Sequence, residues 1–145
     1  MVAYDPQTVE VFFYGLFMDT SLLAARGVTP SATTTGYVDD YRLRIGKRAT
    51  LAREPGSRTY GVLMTMERDV ATALYSDETV ADYVPEPVSV NLPSGSVKSA
   101  VCYNLPPDKL EGSNRAYVES LLELAKTLGF PQSYLDEIRA EGPAT

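Results

Sequence analysis

The sequence predicts an α+β fold: a small mixed β-sheet or barrel flanked by short helices, with two further helices at the C-terminal end. β-Branched and aromatic segments recur along most of the chain, and some of them flank the turn signals expected of hairpins. Short helical patterns lie between these strands, and helical periodicity dominates from Asn114 onward. Because hairpins join antiparallel neighbours, a doubly wound parallel sheet is disfavoured.

Length, charge and hydropathy restrict the class of protein. The chain has 145 residues and a hydrophobic fraction of 44%, which predicts one domain over residues 1–145 with an ordinary core. The net charge of −6 argues against a nucleic-acid partner, because phosphate binding needs clustered cations. We also predict no membrane partner and a cytoplasmic location, since no apolar run approaches roughly 20 residues and the first seven residues lack a secretion-signal pattern.

The chain contains no histidine, which excludes Ser–His and Cys–His catalytic pairs and every histidine-based zinc site. Proton transfer must therefore use Asp, Glu, Lys, Tyr or Cys. Cys102 is the only cysteine, so neither an internal disulfide nor a thiolate metal cluster can form. It lies in an alternating strand pattern, which favours a buried, inert thiol over a nucleophile.

The N-terminal half reads as strands joined by turns and one short helix. Residues 9–14 predict a buried strand that ends at Gly15, and Asp19 or Thr20 predicts the N-cap of a short helix stopped by Gly27. Residues 29–35 predict a polar loop before a strand over 37–45. Residues 49–53 and 59–66 predict two strands separated by a Pro-Gly turn at 54–58.

The second half predicts a helix, a hairpin and two terminal helices. An amphipathic segment opened by Glu67 places Val70, Ala73 and Leu74 on one helical face. Residues 88–92 and 97–103 flank a turn signal and predict a hairpin. A helix then runs from Asn114 to near Gly129, and the last helix starts at Pro131.

Six basic residues lie close together in the sequence but are interrupted by apolar positions. They are Arg42, Arg44, Lys47, Arg48, Arg53 and Arg58. This spacing favours the solvent faces of strands, and the alternative is a rim for an anionic ligand.

The strand-to-helix corner formed by Tyr14, Gly15, Leu16, Phe17 and Met18 is the first candidate site. A glycine lets the backbone approach a ligand closely, and the following helix aims unbonded N–H groups at the corner. These features suit a carboxylate or an oxyanion. The alternative is a tight turn whose glycine adopts an unusual φ.

The second candidate site is the acidic pair Asp77 and Glu78, which precedes Tyr83. A single carboxylate acts as a general base when burial raises its pKa toward neutrality. The alternative is a solvated helix end. Glu86 is a competing candidate, although its position at the start of a strand favours an outward side chain.

The corner and several later motifs resemble the γ-glutamylcyclotransferase and AIG2-like proteins. Residues 14–19 resemble the family's opening signature, in which Tyr-Gly-Ser or Tyr-Gly-Thr precedes Leu or Met. In chain order, the other matching motifs are Tyr60-Gly61-Val62-Leu63, Leu74 with Glu78, Tyr83 with Val88 and Val90, Asn114-Arg115-Ala116-Tyr117, and Leu128-Gly129-Phe130-Pro131 with Tyr134. Three positions depart from the pattern: Leu16 replaces Ser or Thr, Tyr75 replaces Asp, and Thr79 follows Glu78 where the family has Gly.

The resemblance implies an enzyme that converts a small-molecule γ-glutamyl substrate into 5-oxoproline and a free amine. Glu78 would be the general acid and base, and the N–H groups of residues 15–18 would hold the substrate carboxylate or the developing oxyanion. Tyr83 and Tyr117 would position the substrate, or serve as core aromatics. The reaction needs no metal and no organic cofactor, because it is neither redox nor electrophile-dependent.

Two other functions remain open at this stage. One is a non-catalytic protein of the same fold that binds a γ-glutamyl or amino-acid-like ligand, which the departures at Leu16 and Thr79 favour. The other is a small interaction domain that uses an exposed corner of Leu16, Phe17 and Met18 as its partner surface.

Overall fold

Five strands close into a small barrel in a computed structural model that describes residues 8–74, 83–106, 112 and 114–141. The order around the barrel is β1-β3-β2-β4-β5, and a parallel contact between β1 and β5 closes it, while the other pairs are antiparallel. The strands are β1 (Thr8–Phe13), β2 (Ala32–Ile45), β3 (Ala49–Glu67), β4 (Val84–Asn91) and β5 (Val97–Asn104). The predicted small mixed sheet or barrel is confirmed.

Helices fill the connections and the C-terminal end. A 3₁₀ turn at Leu16–Met18 leads into α1 (Thr20–Ala25), and the later helices are α2 (Arg68–Leu74), α3 (Arg115–Thr127) and α4 (Gln132–Ala140). Asp19 caps α1 by accepting a hydrogen bond from the Ser21 amide, and Asn114 caps α3 in the same way through Tyr117. The predicted helices at 114–129 and after Pro131 are therefore confirmed. No helix within the described ranges has the length and apolarity to cross a bilayer.

The face of α2 differs from the prediction in one residue. Ala71 and Leu74 are buried, whereas Ala73 is exposed, so Ala71 takes the place predicted for Ala73. Tyr75, Asp77, Glu78 and Thr79 follow this helix in the chain and lie outside the described residues.

The polar loop predicted at 29–35 is wrong, because β2 already begins at Ala32. Ala32 pairs with Thr65, and Thr33 to Thr35 continue the same antiparallel register along β3. β-Branched threonines favour extended backbone, and a long partner strand supplies the hydrogen bonds that a polar loop would have taken from water.

The Pro-Gly signal at 54–58 marks a bulge within β3 rather than a turn between two strands. Asp39 pairs with Arg58 and Tyr41 with Arg53, so four residues of β3 stand opposite Asp40 alone. Asp40 adopts a φ of 67°, and its carboxylate accepts a 3.0 Å hydrogen bond from the Gly56 amide. The hairpin instead reverses at residues 46–48, next to the cavity described below.

The last two helices pack on the barrel through an aromatic cluster. The Tyr60 ring on β3 lies 5.7 Å from that of Phe130 and 5.2 Å from that of Tyr134, measured between centroids. At the end of α4, Glu141 accepts hydrogen bonds from the Ile45 amide and the Arg44 side chain, at 3.0 and 3.2 Å. These contacts hold α4 on the barrel, and α4 packs against α3, which carries Tyr117.

Gly61 allows β1 and β3 to approach closely, and we expect Gly61→Ala to destabilise the protein by about 1–3 kcal/mol. A Cβ there would overlap the carbonyl oxygen of Phe13 and lie 2.6 Å from the ring of Phe12, which is buried. Urea unfolding measures the loss. Ser89→Ala, at an exposed position of β4, is the control and should change the free energy of unfolding by less than about 0.5 kcal/mol. Equal unfolding midpoints for wild type and Gly61→Ala would contradict the packing argument.

Candidate functional site

A cavity of about 310 Å³ opens where β1 ends and the 3₁₀ turn begins. It is lined by residues 13–17, by Leu22 and Arg26 from α1 and its end, by residues 47–49 of the β2–β3 hairpin, and by Tyr83 and Tyr117. The fold thus brings together six residues that the sequence analysis proposed as a site. These are Tyr14, Gly15, Leu16, Phe17, Tyr83 and Tyr117.

Tyr14 connects the corner to the rest of the barrel. Its hydroxyl donates a 2.7 Å hydrogen bond to the carbonyl oxygen of Tyr103 on β5, and the Ala49 carbonyl oxygen lies 3.5 Å away. The side chain is buried, and its ring forms part of the cavity wall. Tyr14, which directly precedes Gly15, therefore connects the corner to β3 and β5.

Gly15 is needed for space and not for an unusual dihedral angle. Its φ of −110° and ψ of −153° are extended values that any residue adopts, so the alternative of a tight turn with an unusual glycine φ is wrong. A Cβ on Gly15 would instead overlap the hydroxyl oxygen of Tyr117, which reaches the corner from α3. The glycine lets this hydroxyl lie directly against the backbone.

Two N–H groups of the corner already donate hydrogen bonds within the protein. The Leu16 amide donates to the Tyr117 hydroxyl at 3.3 Å, and the Met18 amide donates to the Gly15 carbonyl at 3.0 Å. Met18 was predicted to bind substrate, but its amide is engaged and its side chain is 3% exposed and does not line the cavity. The Gly15 amide hydrogen-bonds to none of the residues that the structure describes.

The same burial contradicts the interaction-domain hypothesis. That hypothesis requires an exposed apolar corner, whereas Met18 is buried and Leu16 and Phe17 are half-buried. The Phe17 ring packs edge to face on Phe13, with 6.0 Å between centroids. The corner is a cavity wall and not a flat partner surface.

Tyr117 and Tyr83 present different hydrogen-bonding groups to the cavity. The Tyr117 hydroxyl accepts from Leu16, so its own proton can be donated to a ligand. Burial raises the pKa of Tyr117 to about 12, which keeps it a neutral donor at physiological pH. The Tyr83 hydroxyl donates to the Ala49 carbonyl, and burial raises its pKa well above the usual range. Tyr83 therefore offers mainly an acceptor oxygen.

Three cations line the cavity: Arg26, Lys47 and Arg48. The Arg26 guanidinium lies 5.3 Å from the centroid of the Phe17 ring, and that of Arg48 lies 5.9 Å from the Tyr83 ring. None of the described lining residues is acidic. The formal charge of the described lining residues is therefore positive.

The predicted basic group thus divides into two. Lys47 and Arg48 line the cavity, as the alternative of an anionic-ligand rim expects. The other four do not line it: Arg42 and Arg44 pair with Glu141, Arg58 pairs with Asp39, and Arg53 donates to the Tyr41 hydroxyl. The sequence analysis missed Arg26, which directly follows α1. Its only signal was proximity in sequence to the corner.

Two carboxylate candidates of the sequence analysis are not among the described lining residues. Glu78 is outside the described residues, five positions before Tyr83 in the chain. Glu86 is exposed on β4, opposite Cys102 on β5, as its position predicted. Cys102 is buried as predicted, and burial raises its pKa well above the usual range, which makes it a poor nucleophile.

Solved structures show the same fold. A γ-glutamyl cyclotransferase aligns with a TM-score of 0.76 and 21% identity over 95% of this chain and 90% of its own. An uncharacterized human protein, LOC79017, aligns with a TM-score of 0.75 and 22% identity, with the same coverage. A yeast γ-glutamyl cyclotransferase specific to glutathione aligns with a TM-score of 0.60 and 14% identity over 94% of this chain and 97% of its own. The barrel and its helices thus define the γ-glutamylcyclotransferase-like fold.

The sequence gives the family. The model of the AIG2-like family matches residues 58–138, which is more than half of the chain, and the chain belongs to that family. The matched segment includes Tyr83 and Tyr117 but not the corner at 14–18. No curated protein sequence matches significantly.

Proposed function

We propose that the cavity binds a γ-glutamyl amine or γ-glutamyl peptide and converts it to 5-oxoproline and the free amine. The observation that carries the proposal is the contact of the Gly15 backbone with the Tyr117 hydroxyl at the inner wall of the cavity. The AIG2-like family and the fold shared with γ-glutamyl cyclotransferases support it. A volume of about 310 Å³ suits a small amino-acid derivative.

The inner wall offers two donors to the γ-glutamyl group. The Gly15 backbone and the Tyr117 hydroxyl meet at the corner, and we assign the Gly15 amide and this hydroxyl as donors to one substrate oxygen. That oxygen belongs either to the substrate α-carboxylate or to the γ-carbonyl as it becomes an oxyanion. Tyr83 adds an acceptor that suits the α-ammonium group.

The reaction is intramolecular. The α-nitrogen attacks the γ-carbonyl carbon, a new C–N bond closes the five-membered ring, and the bond from that carbon to the departing nitrogen breaks. No water is consumed. Holding the chain folded supplies proximity, which contributes about 7–11 kcal/mol in well-oriented intramolecular reactions.

Proton transfer is the remaining requirement, and we assign it to Glu78. One proton must leave the α-ammonium before attack, and a second must leave the same nitrogen as it becomes the ring N–H. The departing nitrogen gains one proton to leave as the amine and a second when that amine becomes an ammonium. Glu78 is the residue that the family resemblance marks for this role, and it precedes the cavity-lining Tyr83 in the chain. The reaction involves no electron transfer, so we propose no cofactor.

We expect wild type to release 5-oxoproline from a panel of γ-glutamyl amino acids, and Tyr117→Phe to lower kcat/KM about 10²–10³-fold if this hydroxyl stabilises the oxyanion. Mass spectrometry of 5-oxoproline measures both. Tyr134→Phe, in the aromatic cluster and not in the cavity, is the matched control and should retain wild-type kinetics. Absence of 5-oxoproline from every substrate would refute the proposed reaction.

A binding protein without turnover is the second candidate function. It is favoured by the absence of an acidic side chain among the described lining residues. Calorimetry on the same panel separates the two functions, because this candidate predicts ligand binding with no 5-oxoproline.

A further inference from the structure

Two separate parts of the chain hold the hydroxyl groups of the two cavity tyrosines. Tyr117 lies in the first turn of α3, and the Tyr83 hydroxyl donates to the carbonyl oxygen of Ala49, directly after the β2–β3 turn at residues 46–48. The positions of these two hydroxyls relative to each other therefore depend on how the start of α3 is attached to this turn.

Asn114 connects the two parts through both polar atoms of its side-chain amide. Its Oδ1 accepts a 3.0 Å hydrogen bond from the Tyr117 amide, and its Nδ2 donates at 3.2 Å to the Lys47 carbonyl oxygen. The first bond caps α3, and the second joins that cap to the β2–β3 turn. One side chain thus contacts the backbone on two sides of the cavity.

The bond to the Lys47 carbonyl requires the amide of Asn114, whereas the cap does not. An ionised aspartate caps a helix as well as asparagine does, because both side chains offer an acceptor oxygen. The Lys47 carbonyl oxygen is itself an acceptor and needs an N–H partner, which a carboxylate lacks. An exchange of Asn114 for aspartate therefore removes the second bond and keeps the first.

The Tyr117 hydroxyl is sensitive to the position of the first turn of α3. Val118 is buried and holds the body of the helix, whereas Arg115 and Ala116 are exposed. The Tyr117 hydroxyl accepts from the Leu16 amide at 3.3 Å, which is already slightly longer than the usual range for such bonds. A small shift of the first turn is therefore enough to break this contact.

We infer that Asn114 is a positioning residue for the proposed reaction, because its bond to the Lys47 carbonyl holds the Tyr117 hydroxyl against the corner. The inference rests on the proposed function, in which this hydroxyl donates to a substrate oxygen. Asn114 does not line the cavity, so it acts through Tyr117 and not on the substrate. Loss of its Nδ2 donor should change the same kinetic parameter as loss of the Tyr117 hydroxyl, and by a smaller factor.

Amide hydrogen exchange in Asn114→Asp tests the contact without any need for activity. The Leu16 amide donates to the Tyr117 hydroxyl, and the Met18 amide donates to the Gly15 carbonyl. NMR should show the Leu16 amide exchanging about 3- to 10-fold faster in this variant, the effect of roughly one ordinary hydrogen bond, with the Met18 amide unchanged. Equal acceleration of both amides would indicate a general loss of stability and overturn the inference, as would an unchanged Leu16 amide.

The proposed reaction supplies a second test through a double-mutant cycle. Asn114→Asp should lower kcat/KM for γ-glutamylalanine about 3- to 10-fold in the wild-type background. In the Tyr117→Phe background it should lower kcat/KM by less than about 2-fold, because the hydroxyl that Asn114 positions is then absent. An equal loss in the two backgrounds would refute a role that acts through Tyr117.

Asn91→Asp is the matched control for both tests. The Asn91 Nδ2 also donates to a backbone carbonyl, that of Tyr37 at 3.4 Å, and neither residue lines the cavity. The same exchange there should leave Leu16 amide exchange and kcat/KM at their wild-type values. Faster Leu16 exchange in Asn114→Asp without 5-oxoproline from any substrate would support the positioning role and refute the proposed reaction. Unchanged exchange with wild-type turnover would support the reaction and refute the positioning role.

Discussion

Glu78→Gln is expected to lower 5-oxoproline formation at least about 10²–10⁴-fold while substrate affinity stays within a few-fold of wild type. Glutamine keeps the size and the polarity of the side chain but can neither accept a proton from the α-ammonium nor deliver one to the departing nitrogen. The loss should therefore appear in kcat and not in KM. Single-turnover release of 5-oxoproline, with calorimetric affinity for γ-glutamylalanine, measures the two effects separately.

Glu86→Gln is the control for this prediction. Glu86 was the competing acid in the sequence, and it lies exposed on β4, opposite Cys102. Its replacement removes the same negative charge and should leave turnover at the wild-type level. Wild-type turnover in Glu78→Gln would refute the assignment of Glu78 as the proton carrier. Loss of turnover in Glu86→Gln would indicate Glu86 as the proton carrier instead.

Gly15→Ala is the second change with a large expected effect. The new Cβ overlaps the Tyr117 hydroxyl, so either the corner or α3 must move. We expect a loss of about 1–3 kcal/mol in the free energy of unfolding and at least a 100-fold loss in kcat/KM, because the two donors at the inner wall separate. Urea unfolding and the 5-oxoproline assay measure these quantities.

A double-mutant cycle tests the cause of that loss. Tyr117→Phe removes the overlapping oxygen, and the next Tyr117 atom, Cζ, is 3.7 Å from the Cβ position, an ordinary contact distance. Gly15→Ala with Tyr117→Phe should therefore recover most of the stability lost in Gly15→Ala, although not the activity. Additive destabilisation in the double variant would show that the glycine is needed for some other reason.

Leu16, which replaces the Ser or Thr of the family signature, contributes to the cavity mainly through its backbone amide. In the family signature this position carries the hydroxyl of Ser or Thr, which Leu16 lacks. The structure shows that the Leu16 amide holds Tyr117, which is a main-chain role that any residue except proline can fill. The side chain contributes only an apolar surface to the cavity.

The fold predictions were correct for elements that short sequence patterns specify. They were wrong where the register between paired strands determines the structure. The β4–β5 hairpin and the terminal helices follow from alternation, caps and periodicity within short segments. The Pro-Gly segment at 54–58 carries the same local signal whether it forms a turn or a bulge. Only the pairing of β3 with β2 on both sides of Asp40 distinguishes the two.

By itself, the sequence restricted the side chains available for proton transfer and located the glycine corner. A chain without histidine must move protons with carboxylates or other side chains, and no arrangement in space changes that restriction. The tertiary structure decided which groups share the cavity. Tyr117 lies 101 residues from Leu16, and Arg26 and Lys47 come from separate elements. Such contacts depend on how strands pair and helices pack, which no local pattern encodes.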